Sequence, residues 1–216
     1  MYSRGSGHWR RDGIVAVLAL LAATPVAADT EWQIRPFGGI TVGGGTTWVD
    51  LDHAVGRPNV VLGLSGGMLG EVIGIEVDVA RAPGYFQGGN RSLPADDPLR
   101  DNQLVAKSSV TTITGNVIVG LPRRVTEYTL RPYFVGGFGL MRARTYDSFN
   151  SLQVNMSAPA IDLGGGVFGS FSERTGISWE LRHFRSIRGK VEPLTVLAQP
   201  AKLSFWRGNM ALVIRF

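Results

Sequence analysis

From residue 29 onward the chain lacks the i, i+3, i+4, i+7 spacing of apolar residues that marks a helix, and instead repeats a two-residue period. Three stretches are clearest. Ile75, Val77 and Val79 alternate with Glu76, Asp78 and Ala80, and Ile177, Trp179 and Leu181 with Ser178, Glu180 and Arg182. Met210, Leu212, Ile214 and Phe216 alternate with Asn209, Ala211, Val213 and Arg215. Successive strand residues point to opposite faces, so each stretch predicts a strand with one apolar side. These strands cover 74–80, 177–182 and 209–216. Weaker ones at 32–42, 59–69, 108–121, 129–145 and 157–171 bring the number to eight.

The connections sort by length. Long ones fall at 43–58, 81–107, 146–156 and 187–202, rich in Gly, Pro, Asn and Asp; short ones fall near 70–71, 122–127 and 172–175. Long and short alternate strictly. Alternate connections of an up-and-down antiparallel barrel lie at opposite rims, which puts every long loop on one side, as in outer-membrane barrels.

The other face of the strands decides between a membrane barrel and a soluble one. It carries Glu76, Asp78, Asn116, Arg131, Asp162, Glu180, Arg182, Asn209 and Arg215, with both signs on neighbouring strands. A lumen of eight strands is only wide enough for side chains, so opposite charges there pair across it. Gly66-Gly67, Gly136-Gly137 and Gly164-Gly165-Gly166 fall inside predicted strands, where they relieve crowding between inward side chains. Trp32, Phe37, Trp48, Tyr85, Phe86, Tyr128, Tyr146, Phe171, Phe205 and Trp206 lie near predicted strand ends, where interfacial girdles form.

Arg4, Arg10 and Arg11 precede an apolar run from Ile14 to Ala23, and Val26-Ala27-Ala28 offers small residues for cleavage. This is the layout of a secretory signal peptide over residues 1–28, with a run too short for a spanning helix. Its removal leaves residues 29–216 as a single barrel domain. The net charge of +5 then falls to +3, because three arginines and Asp12 leave with the peptide. So small and scattered an excess gives no basic stripe and excludes nucleic acid as a partner. Cysteine is absent, which removes disulfides, thiolate metal sites and thiol nucleophiles.

The last strand, Ala211-Leu212-Val213-Ile214-Arg215-Phe216, resembles the carboxy-terminal signature of outer-membrane barrels. The segment Leu130-Arg131-Pro132-Tyr133-Phe134-Val135-Gly136-Gly137-Phe138-Gly139 resembles the fifth strand of small OmpA-like and OmpX-like barrels. Asp162 to Val167 and Glu180 to Arg185 resemble the sixth and seventh. The resemblance covers most of the mature chain and concerns the barrel portion alone. It implies an all-β, eight-stranded antiparallel up-and-down transmembrane barrel in the bacterial outer membrane. It also implies that Phe216 is an assembly signal read by the barrel-assembly machinery.

Candidate chemistry is sparse. Asp50, Asp52 and His53 lack the ligand spacing of a closed metal site. Glu180, His183 and Ser186 invite comparison with lipid A deacylases, but a spacing of three puts His183 and Ser186 on opposite faces of a strand. No phosphate loop or nucleophile elbow appears. The expectation is therefore no enzyme, no cofactor and no metal. Glu76, Asp78, Arg131, Asp162, Glu180, Arg182 and Arg215 form a structural charge network in the lumen. The chain is expected to be monomeric, surrounded by outer-membrane lipid and lipopolysaccharide, with a structural or surface-interaction role carried by its long loops. Arg185, Arg188, Lys190 and Lys202 are candidates to meet lipopolysaccharide phosphates. A narrow solute channel, a lipid A-modifying enzyme and a soluble periplasmic barrel with an apolar interior are the alternatives.

Overall fold

The computed structural model describes residues 31–46, 58–86, 105–122, 126, 130–147, 153–187, 190–191 and 202–216. The proposed signal peptide, Trp48, Asp50, Asp52, His53, Tyr128 and Arg188 lie outside them. The strands are β1 (Glu31–Thr46), β2 (Asn59–Leu69), β3 (Ile73–Pro83), β4 (Val105–Gly120) and β5 (Leu130–Asp147). They continue with β6 (Gln153–Ser170), β7 (Thr175–Ser186), the two-residue β8 (Lys190–Val191) and β9 (Leu203–Arg215). No helix occurs among the described residues.

All pairings are antiparallel. Consecutive strands from β1 to β7 pair with one another, and β9 pairs with both β7 and β1. The β1–β9 ladder, with Phe37 opposite Ala211 and Gly39 opposite Asn209, closes the cylinder. The long strands thus form an eight-stranded up-and-down barrel, while β8 adds two residues to the edge of β6. Closure matters because an open edge leaves unpaired N–H and C=O groups, which lipid cannot satisfy.

The eight strands stand where the two-residue period places them, with two departures. β9 begins at Leu203, six residues before the recognisable alternation. Leu203 and Phe205 are apolar yet face inward, and Gly208 blanks an outward position, so neither face there reads as polar or apolar. The strict alternation of connection lengths does not hold. β5 and β6 are 18-residue strands whose pairing continues to Tyr146 opposite Gln153. This leaves only 148–152 between them, fewer residues than the 121–129 connection at the opposite rim. Hairpin pairing has consumed most of the expected loop. Every connection still falls on its expected rim.

The outward face is apolar. Leu62, Leu64, Ile75, Val77, Phe134, Phe138, Leu163, Leu181 and Leu212 are all exposed. On β5 the outward residues from Leu130 to Leu140 are all apolar. Ten steps of about 3.4 Å span about 34 Å along the strand. A tilt of about 40° lowers this to a height of about 26 Å, matching the apolar band of an outer-membrane barrel, about 25 Å. Where β5 meets β6, the outward Phe134 covers the position a side chain would fill at Gly165, whose Cβ would lie 3.5 Å from its ring.

Candidate functional site

Inward positions of β1, β3, β6, β7 and β9 bring Arg35, Glu76, Asp78, Asp162, Glu180, Arg182 and Arg207 into one layer across the lumen, all buried. Glu76, Asp78, Asp162 and Glu180 are each flanked along their own strands by outward apolar residues, so the local alternation that builds the strand also aims the charge inward.

Arg182 is the hub. It donates from Nε to Glu180 Oε1 at 2.5 Å and from Nη2 to Glu180 Oε2 at 2.6 Å. It also reaches Glu76 Oε1 at 2.7 Å and Asp162 Oδ2 at 3.3 Å. Arg35 forms an ion pair with the second oxygen of Glu76. Arg207 holds Asp78 through two bonds of 2.8 and 3.0 Å and lies 3.8 Å from Glu180. Neutral donors complete the layer: Asn116 to Glu76 at 2.9 Å, Tyr133 Oη to Glu180 at 2.7 Å, and Asn209 to Glu180 at 3.3 Å. A charge out of water is tolerable only when paired and hydrogen-bonded, and here every carboxylate has a guanidinium partner.

Apolar layers seal this network on both sides. Toward the loop rim lie Phe37, Tyr85, Phe86, Met141, Phe184 and Phe205. Phe184 and Phe205 stack with ring centroids 5.3 Å apart. The Arg207 guanidinium sits 4.7 Å from the rings of both Phe37 and Phe184, so the cation is sandwiched where the layers meet. Toward the turn rim lie Leu69, Ile118, Val135 and Val213, with Tyr133 and Phe168 stacked at 4.2 Å.

The seven residues expected in the network divide. Glu76, Asp78, Asp162, Glu180 and Arg182 meet in it. Arg131 and Arg215 do not; they stand at the turn rim. Arg131 donates to the carbonyls of Leu121, Gly70 and Glu71 at 2.9, 3.0 and 2.6 Å, tying two turns together. Arg215 pairs with Glu31 at 3.4 Å and donates to Ser170 at 3.0 Å. Arg131 is the second residue of β5 and Arg215 the last of β9, both too far along the barrel to reach the midplane carboxylates. Arg35 and Arg207 take their places. Sequence reasoning missed both because their neighbourhoods, with Pro36, Gly38, Gly39 and Gly208, interrupt the alternation. Counting inward positions back from Thr41 and Asn209 would have found them.

The aromatic girdle is also smaller than expected. Trp32, Phe171 and Trp206 are exposed, but Phe37, Tyr85, Phe86 and Phe205 are buried inside the barrel. Gly84, with φ of 70°, turns the chain after β3 so that Tyr85 and Phe86 fold into the lumen. The Phe86 amide then donates to Ser108 Oγ at 2.9 Å. Phe216 is exposed, and its amide donates to the Trp32 carbonyl at 3.0 Å, fastening the end of the chain to β1.

His183 faces outward with its ring 4.9 Å from that of Trp206. Ser186 faces inward, buried, and accepts the Leu203 amide at 2.8 Å. The barrel wall separates them, so they make no nucleophile–base pair with Glu180.

A closed antiparallel cylinder with charges within and aliphatics without is the inverse of a soluble barrel. Neither a protein-family model nor a curated protein sequence matches this chain. Solved structures do. Neisserial surface protein A is 13% identical, with a TM-score of 0.54 over 86% of this chain and 97% of its own. The outer membrane protein OprG of Pseudomonas aeruginosa is 13% identical, with a TM-score of 0.50 over 88% and 97%. This is the fold of the small outer-membrane barrels. Among such barrels the lumen decides whether solutes can pass, and here the midsection is filled. A recess of about 560 Å³ opens at the turn rim, lined by Glu31, Gln33, Leu69, Arg131, Phe168 and Arg215, and it ends against the Tyr133–Phe168 layer.

Proposed function

We propose that this chain resides in the bacterial outer membrane as a closed barrel that passes no solute and acts through its loop-side surface, in a structural or surface-interaction role without enzymatic activity. The observation that carries this reading is the filling of the midsection. Arg182 and Arg207, two of the three inward arginines there, are each 1% exposed, and layers containing aromatic rings cover them above and below. Passage would require breaking several buried ion pairs at once, and breaking even one by removing a partner costs about 3–5 kcal/mol.

The turn-rim recess favours a second reading, a narrow channel whose inner gate is the charge layer. Planar-bilayer recording separates the two. A closed barrel gives no stable conductance steps at neutral pH; regular steps from the purified folded protein would establish the channel.

A further inference from the structure

Among the residues whose side chains are described, the outward face of the strands carries almost no charge except along one edge. Every strand-borne carboxylate among them faces inward, whereas Arg81, Arg142, Arg144 and Arg185 face outward at the loop-side ends of β3, β5 and β7. None of the four has a carboxylate partner among the described residues.

Three of them are neighbours. Arg81 stands opposite Thr111 on β4, and Thr111 stands opposite Arg142 on β5. With strands about 4.8 Å apart, the two arginine Cα atoms lie about 10 Å apart across one strand. Arg144 is two residues further along β5 on the same face, about 7 Å on. Ser157, opposite Arg142, continues the row. Directly below stands the apolar row of Val79, Ile113 and Leu140. These guanidiniums therefore sit where acyl chains give way to headgroups, spaced so that their forks can converge on one anionic headgroup. Planar guanidinium forks bind phosphate oxygens in bidentate fashion, and hydroxyls such as that of Thr111 add further donors.

We propose that Arg81, Arg142 and Arg144 form a docking surface on the outer wall for the phosphorylated headgroup of lipid A in the outer leaflet. Net charge complementarity argues for this occupant: a phosphate-rich headgroup, anchored by acyl chains beside Leu140 and Val79, meets a cationic row that has no carboxylate partner among the described residues. The proposal deepens the outer-membrane reading and rests on it.

The test uses native mass spectrometry of the full mature protein, folded in detergent and titrated with diphosphoryl lipid A, alongside the R81A/R142A/R144A variant. Folding of both is checked by heat-modifiable gel mobility and by insertion into phosphatidylcholine vesicles. Retention of lipid A is expected to weaken on the order of tenfold or more in the triple variant, with partial recovery in R81K/R142K/R144K. Monophosphoryl lipid A is expected to bind more weakly than the diphosphoryl form. Equal retention by the folded wild type and the triple variant overturns the proposal. So does equal retention of phosphatidylglycerol, which would make the row a general anion surface. If neither protein inserts into vesicles, the outer-membrane reading itself fails, whereas insertion without selectivity removes the docking surface alone.

Discussion

Arg207 holds both carboxylate oxygens of Asp78 across the lumen while its guanidinium lies between the rings of Phe37 and Phe184. β3 and β9, which are not neighbours in the sheet, are joined by this pair. Removing either side chain takes from the other the partner that holds it through two bonds in a buried layer. D78A and R207A are each expected to destabilise the folded barrel by about 3–5 kcal/mol, measured as a lower urea midpoint in lipid vesicles. An apolar double replacement such as D78L/R207M is expected to recover part of that loss, because the cost lies in the orphaned charge more than in the missing contact.

The layer holds four carboxylates, Glu76, Asp78, Asp162 and Glu180, against three guanidiniums, those of Arg35, Arg182 and Arg207. Asp162 is the most weakly held, with one 3.3 Å bond to Arg182, whereas Glu76 is gripped by Arg35, Arg182 and Asn116. D162N removes the excess negative charge and alters only one long hydrogen bond, and is expected to change stability by about 1 kcal/mol. E76Q leaves two arginines short of a partner and is expected to cost about 3 kcal/mol or more. Comparing their urea midpoints checks the order. Equal losses would show that the sparse contacts of Asp162 understate its part.

Gly166 tests packing rather than charge. A Cβ there would collide with the Trp179 carbonyl oxygen of β7 and lie 2.7 Å from Tyr133 Oη, the atom that donates to Glu180. G166A is expected to force β6 away from the Trp179 carbonyl as well as push the phenol off Glu180, and to cost about 1–3 kcal/mol. The paired change G166A/Y133F, which removes the displaced hydroxyl, is expected to lose less than the sum of the two single changes, as a double-mutant cycle in the same unfolding assay would record.

Much of this was legible in the sequence because the barrel wall enforces a two-residue period. Ile75 to Ala80 and Ile177 to Arg182 show it openly, and they carry three of the four carboxylates that meet in the lumen. Legibility fails where the inward face is itself apolar or where glycine interrupts the outward face, as at Leu203 to Gly208. It fails again for position along the axis. Period two says that Arg131 and Arg215 point inward but not that they lie at the rim, because height depends on register across strands. Tyr85 and Phe86 were misplaced for a related reason. Their lumenal position follows from the turn at Gly84, and periodicity carries no information about a chain that folds back into the barrel.

The assembly role that the sequence resemblance implies for Phe216 predicts that assembly and stability respond differently to its loss. Its side chain is exposed and touches none of the lumenal layers, so F216A is expected to leave the urea midpoint of the refolded protein within about 0.5 kcal/mol of wild type. In cells, the same variant is expected to lower the folded fraction recovered from outer membranes, measured by heat-modifiable mobility. Equal recovery in cells would remove the assembly-signal role.

The orientation of the wall can be read directly, since the chain contains no cysteine and single substitutions introduce unique labels. Nitroxides placed by L64C, V77C and L163C, on three different strands, report their surroundings by electron paramagnetic resonance in bilayers. Relaxation by oxygen, which concentrates in lipid, and shielding from a water-soluble nickel complex are expected at all three. Strong relaxation by the nickel complex at these positions, with oxygen having little effect, would mean that these aliphatic residues face water and that the membrane-spanning orientation is wrong.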